Sequence, residues 1–248
     1  FSACTDADQA ALLRQQRLAV LGLSFSNDRS NSVSDPTRGR VLRGEVRYAS
    51  PLLGSDELLQ FTRVSLDGAT YFPFGNDVVL AVRLRLGAVR SHAANDYIPA
   101  QERLYAGGAN TVRGFRQNEL GPVIYIPTAF DTVQADGTIG GDPSNPAQTV
   151  YFRANPATVG QRAIPVGGNA MLVGNVEVRV PSPVLPDVLQ LAAFADAGRV
   201  WVWNRDAGAT LNLNAFQWTP GVGVRMRSAV GLVRVDVGYN PYQRSEGA

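Results

Sequence analysis

Eight stretches of this sequence alternate apolar and polar residues with a period of two, and that periodicity confines the chain to an all-β fold. A strand turns successive side chains to opposite faces, so each stretch carries one apolar and one polar face. In the first, Ala19, Leu21, Leu23 and Phe25 alternate with Val20, Gly22, Ser24 and Ser26; in the second, Leu42, Gly44, Val46 and Tyr48 alternate with Arg43, Glu45 and Arg47. The third covers residues 59–72, where Val64 and Leu66 face away from Arg63, Ser65 and Asp67. The fourth sets Leu80, Val82, Leu84 and Leu86 against Ala81, Arg83, Arg85 and Gly87. After a long interval, Leu172, Gly174, Val176, Val178 and Val180 oppose Asn175, Glu177 and Arg179, and residues 188–202 form a longer, more apolar stretch holding Gln190, Phe194 and Asp196. The last two pair Val222, Val224 and Met226 with Gly221, Gly223, Arg225 and Arg227, then Val233, Val235, Val237 and Tyr239 with Arg234, Asp236 and Gly238. No helical pattern of core length competes with them.

Two-faced strands suit a soluble sandwich, which turns its apolar faces inward, and a membrane barrel, which turns them out to lipid. The connections separate the two. Those at 75–77, 182–187 and 228–231 are tight, whereas 90–168 and 203–215 are long, an alternation that fits the two ends of an outer-membrane barrel. The 27–40 connection is longer than that rule expects. Tyr48, Tyr71, Phe72, Trp201, Trp203, Trp218 and Tyr239 fall near strand ends, where interfacial aromatic girdles sit. No run approaches the ~20 apolar residues of a membrane helix, but barrels cross with short alternating strands that leave no such run. The expected fold is an antiparallel transmembrane β-barrel, with residues 1–248 as one barrel domain. An autonomous eight-stranded barrel is the competing architecture.

Composition narrows the chemistry. All 23 basic residues are arginine, the net charge is +2, and the arginines are scattered along strands, so no nucleic-acid face is expected. His92 is the single histidine, with no serine or cysteine nucleophile motif beside it, and Asp96 nearby does not complete a catalytic set. Neither catalysis, a cofactor nor a metal is expected. Asp131, Asp136 and Asp142 lack calcium-loop spacing and read as a solvated loop. Cys4 has no partner in the chain for a disulfide. The chain opens on Phe1 without a leader-like segment, so either a leader has been removed or the sequence is a piece of a longer protein.

The long interval 90–168 holds the densest glycine cluster around a charge: Leu104-Tyr105-Ala106-Gly107-Gly108-Ala109-Asn110-Thr111-Val112-Arg113-Gly114-Phe115. Glycines at this density allow a tight, positive-φ backbone. A fixed Arg113 fork asks for an acidic partner, and a mobile turn with a solvated arginine is the simpler alternative. Ile98-Pro99, Arg103-Leu104-Tyr105, Gly107-Gly108, Val112-Arg113-Gly114-Phe115 and Leu120-Gly121-Pro122 occur in the order that resembles the sixth extracellular loop of the BamA/TamA superfamily. Asp35-Pro36-Thr37-Arg38-Gly39 is similar to that family's lead into an upward strand.

The resemblance implies a loop folded back into the barrel lumen. There Val112, Arg113, Gly114 and Phe115 form the tip, and Arg103, Tyr105, Gly107 and Gly108 support it together with Glu102. It also implies that Arg113 is held by Glu177 and Asp196 on the inner wall; pairing of Glu177 with Arg179 or Arg225 is the alternative. Phe115 either packs near Gly221 and Gly223 or staples the loop. Residues 128–165 match nothing in the family and read as an extracellular insertion. By the same register the eight strands resemble strands eight to fifteen of sixteen. Other strands, and periplasmic POTRA domains, are then expected outside this sequence. The implied function is insertion of client β-barrel proteins at the bacterial outer membrane, within a superfamily that includes the bacterial surface antigens. Lipids, unfolded barrel clients and either other subunits or the missing strands are the expected partners. A two-partner-secretion transporter and a passive wall component are the alternatives.

Overall fold

The computed structural model describes residues 15–242, apart from 76, 95, 127, 146–147, 156, 158–161, 204–214 and 229–230. Cys4, the tight turn at 229–230 and most of the 203–215 connection lie outside the described residues. Eight long strands form one antiparallel sheet: β1 (Val20–Asp28), β2 (Gly39–Ala49), β3 (Phe61–Phe74), β4 (Val78–Ser91), β9 (Ala170–Pro181), β10 (Leu189–Trp201), β11 (Gln217–Ser228) and β12 (Gly231–Gly238). Neighbours along the chain are neighbours in the sheet, except that β4 pairs directly with β9 across the long interval.

That interval is not strandless. β5 (Val123–Ile126) pairs with β8 (Arg162–Pro165), and β6 (Phe130–Gln134) pairs with β7 (Val150–Ala154), in two separate ladders. Strands of four or five residues are too short for alternation to stand out, and the Val-Ile-Tyr-Ile of β5 does not alternate at all.

Cross-strand register keeps each face uniform. Leu66 lies opposite Leu86, Val82 opposite Val176, and Val222 opposite Val237; on the other face Asp67 meets Arg85 and Phe194 meets Glu177. A slip of one residue would exchange the faces of a whole strand, so burial on either side locks the register. Leu23 is 75% exposed, Val222 62% and Val237 67%. In a sandwich these side chains would be buried, so the apolar stripe faces outward, where lipid covers it.

The sheet curls around its polar face. Were it flat, β2 and β11 would stand roughly 24 Å apart, five strand spacings of ~4.8 Å. Yet Asp35, in the turn that leads into β2, ion-pairs with Arg227 of β11 at 2.8 Å. The curl stops short of closure: β1 and β12 each pair on one side only among the described residues. Two apolar clusters sit between the long loop and the inner wall. One contains Ala49, Phe61, Val89, Ile98 and Leu104; the other contains Ala106, Val112, Phe115, Leu120, Val173 and Val200.

Replacing Val222 with arginine puts a charge on the lipid face near the middle of β11. Denaturant titration of the bilayer-embedded protein is expected to register a loss of about 2–4 kcal/mol. An unchanged midpoint would refute the outward assignment of that face.

Candidate functional site

Backbone geometry builds the loop tip first. Gly107, Gly108 and Gly114 adopt φ of +108°, +94° and +97°, a region L side chains rarely enter. With those turns in place, the Gly107 N–H donates to Thr111 Oγ1 at 2.8 Å and the Gly108 N–H to the Phe115 carbonyl at 3.1 Å. The tip therefore closes on itself and projects Val112 and Arg113. Gly238 lets it seat against β12: a Cβ there would lie 2.8 Å from the Gly114 nitrogen.

Arg113 then enters a nest of carboxylates, and its side chain is only 8% exposed. Its Nε and Nη2 donate to Asp196 Oδ2 and Oδ1 at 2.8 and 2.9 Å, a two-pronged match of planar fork to planar acid. Its own backbone N–H donates to the same Asp196 at 2.9 Å. Nη1 donates to Glu177 Oε2 at 2.7 Å and to Asp236 Oδ2 at 3.1 Å. The ring of Phe194 lies under the guanidinium carbon at 3.4 Å, a cation–π contact. The Thr219 hydroxyl donates to the Arg113 carbonyl, and Asn175 Nδ2 donates to the Thr111 carbonyl at 2.5 Å. The carboxylates come from β9, β10 and β12, so one side chain ties three strands to the loop.

The acids are themselves shared. Arg179 and Arg225 both pair with Glu177 Oε1, and Arg234 pairs with Asp236 at 3.2 Å while donating to the Ala109 carbonyl at 2.9 Å. The two pairings weighed for Glu177 therefore coexist, because a carboxylate accepts at several lone pairs. Exchanging Arg113 with one acid alone would leave its other two carboxylates facing a negative charge.

A second anchor holds the other limb of the loop. Glu102 is 2% exposed and accepts from Arg47 Nη2 at 2.7 Å and Arg63 Nη1 at 3.3 Å, on β2 and β3. Arg103 donates from Nε to the Ile98 carbonyl at 2.8 Å, and the Tyr105 hydroxyl to the Ala100 carbonyl at 3.0 Å, so both brace the loop internally. Phe115 does not reach Gly221 or Gly223. It packs in the cluster with Val112 and Leu120 and stacks on Tyr242 at 6.4 Å between centroids. The space over Gly221 belongs to Phe194, whose Cζ would lie 2.2 Å from a Cβ there, and that over Gly223 to Asp236.

Asp236, Thr219 and Phe194 complete the site without having been singled out from the sequence. Asp236 sits on the polar side of its strand, but only the β11–β12 register brings it to Arg113. The His92 ring lies 2.8 Å from the Thr62 hydroxyl. In the insertion, hydrogen bonds from the Thr138 and Ser144 hydroxyls and N–H groups hold the Asp136 and Asp142 carboxyls below the usual range. These acids close local turns. Each charge at the loop tip has an ion-pair partner, although Asp236 Oδ1, Asn175 Oδ1 and Arg225 Nε are buried without a hydrogen-bond partner, and the site is suited to holding a loop in place.

The sequence profile of the Omp85 superfamily domain matches residues 5–247. The outer membrane protein assembly factor BamA of Neisseria meningitidis serogroup B is 25% identical over 181 residues, 72% of this chain and 18% of that protein. BamA of Nitratidesulfovibrio vulgaris is 26% identical over 121 residues, 47% of this chain and 15% of that one. The chain thus spans less than a fifth of the length of either relative. The crystal structure of Haemophilus ducreyi BamA lacking POTRA domains 1–3 superposes with a TM-score of 0.65 at 20% identity, over 92% of this chain and 40% of that one.

Removing one partner of a buried pair strands the other charge, so Asp196→Ala is expected to cost about 3–5 kcal/mol in denaturant titration. Thr219→Val, which leaves the Arg113 carbonyl without its donor, is expected to cost about 1–3 kcal/mol.

Proposed function

The chain belongs to the Omp85 superfamily, and on that premise we propose that it forms the supporting wall and loop clamp of an outer-membrane insertase for β-barrel proteins. The observation that carries this reading is the grip of carboxylates from three strands on Arg113. An insertase must part its wall at one seam while the remainder keeps its curvature. A loop fastened to β2 and β3 through Glu102, and to β9, β10 and β12 through Arg113, supplies such a brace.

Client strands would add to exposed strand edges at the seam, where unpaired N–H and C=O groups offer a template for β-augmentation. The edges of β1 and β12 in turn require further polypeptide, because unpaired backbone groups have no partner in lipid. The role assigned to this segment is mechanical and not catalytic. The loop residues 90–168 then lie on the extracellular side, with their tip inside the lumen.

The test replaces Arg113 with alanine in the full-length protein reconstituted in liposomes, with a radiolabelled client barrel supplied unfolded. Protease-resistant, membrane-inserted client is expected to fall several-fold, while circular dichroism retains the strand signal. Arg113→Lys keeps the charge but loses the fork, and is expected to fall between the two. Insertion at the parental rate by the alanine variant would remove the clamp from the mechanism. Unimpaired export of one dedicated substrate with no client insertion would favour the transporter reading instead.

A further inference from the structure

The network around Arg113 extends to the rim that carries the tight turns. The turn over residues 29–38 joins β1 to β2 at the end of the sheet that carries the tight connections, and hydrogen bonds close it on itself. Asn31 Oδ1 accepts from the Thr37 and Arg38 N–H groups at 3.0 Å each, Asn31 Nδ2 donates to Thr37 Oγ1 at 2.9 Å, and the Arg29 N–H bonds the Arg40 carbonyl at 2.8 Å. The turn carries Asp35, whose side chain is 12% exposed, across the inner face to the far half of the sheet. There it meets Arg227 of β11 through Nε and Nη2 at 3.0 and 2.8 Å, Gln190 of β10 at 3.4 Å, and Arg179 of β9 at 3.4 Å. Arg179 also donates to the Pro36 carbonyl at 3.1 Å.

Arg179 is the joint. Its Nη1 faces Asp35 while its Nε bonds Glu177 at 2.7 Å, and Glu177 in turn bonds Arg113. Five arginines (Arg113, Arg179, Arg225, Arg227, Arg234) share four carboxylates (Asp35, Glu177, Asp196, Asp236) in one connected cluster. Apart from Arg227 and Arg234 at its margins, its side chains are at most 12% exposed, so charges there interact more strongly than at a surface. Loss of Asp35 leaves the five arginines with three carboxylates. Arg179 then depends on Glu177 alone, in competition with Arg113 and Arg225 for the same acid.

We propose that Asp35 is a latch at the tight-turn rim, coupled through Arg179 and Glu177 to the grip on Arg113, so that freeing the turn loosens the loop tip inside the lumen. A ligand or client segment that displaced Asp35 from Arg179 and Arg227 would thus be felt at the loop tip. A polar cavity between the turn and the wall, lined by Ser32, Val33, Arg43, Asp67, Tyr71 and Arg83, gives the turn room to move. This coupling rests on the ion-pair geometry and stands or falls separately from the insertase reading.

The experiment reads the loop tip, not insertion. In the full-length membrane-embedded protein, on a Cys4→Ser background, Ala109→Cys at the exposed tip is labelled with a membrane-impermeant maleimide. Asp35→Asn is expected to raise the labelling rate several-fold, and Asp35→Glu, which keeps the charge, to raise it less. Arg227→Gln is at a half-exposed position and removes the Asp35 pair together with one long bond to the Asp187 carbonyl at 3.5 Å, so it tests the latch even if the Asp35 variants fail to assemble; it is expected to give an intermediate rise. In an Arg113→Ala background the same changes are expected to add nothing. Unchanged labelling across this series, or equal effects with and without Arg113, would overturn the coupling.

Discussion

A guanidinium cannot shed its proton, so once Arg113 leaves bulk water its position is dictated by carboxylates. Everything around the loop is arranged to deliver that fork to Asp196, Glu177 and Asp236. Positive-φ glycines turn the backbone, Phe194 underlies the cation, and Thr219 accommodates the carbonyl. The acids stand on three strands, so the loop is located relative to the wall and not merely to one neighbour. A hydrophobic plug of the same volume would pack, but it would tolerate sliding. Directional, charge-assisted bonds do not.

The two faces of the sheet solve different problems. Outside, Leu, Val and Met side chains meet lipid, where backbone pairing along the ladder is obligatory. Inside, charged side chains pair with one another and with the loop, though atoms such as Gln190 Oε1 and Asp236 Oδ1 are buried without a partner. The inner network runs from the tight-turn rim to the loop tip in the lumen without a break in its ion pairs, from Arg227 and Asp35 through Arg179 and Glu177 to Arg113. Glu102 adds an independent tie to Arg47 and Arg63. The wall is therefore spanned near both ends, which suits a barrel whose edges must be completed, or parted, elsewhere.

Much of the fold was legible because period two is a direct imprint of strand geometry. All eight long strands are marked by it, and the direct β4–β9 pairing follows once the interval between them is read as an excursion. The short ladders β5–β8 and β6–β7 were not legible, since four or five residues do not establish a period. Within the site, Arg113, Glu177 and Asp196 were nameable through the loop's resemblance to a known family. Phe115 was left between the space over Gly221 and Gly223 and a staple of the loop, and Phe194 fills the first, because a sequence says which residues share a face but not which of two rings reaches a given glycine.

By itself the sequence determined the strands, their two faces and the glycine-hinged arginine, because each depends on residues within one turn or one strand of each other. Only the tertiary structure decided that Asp236 joins Glu177 and Asp196, that Glu102 fastens the loop's near limb, and that Asp35 reaches across to Arg227. Those contacts join residues 39 to 192 positions apart. They exist only because the sheet curls, and curl is a property of paired strands together that no single stretch encodes.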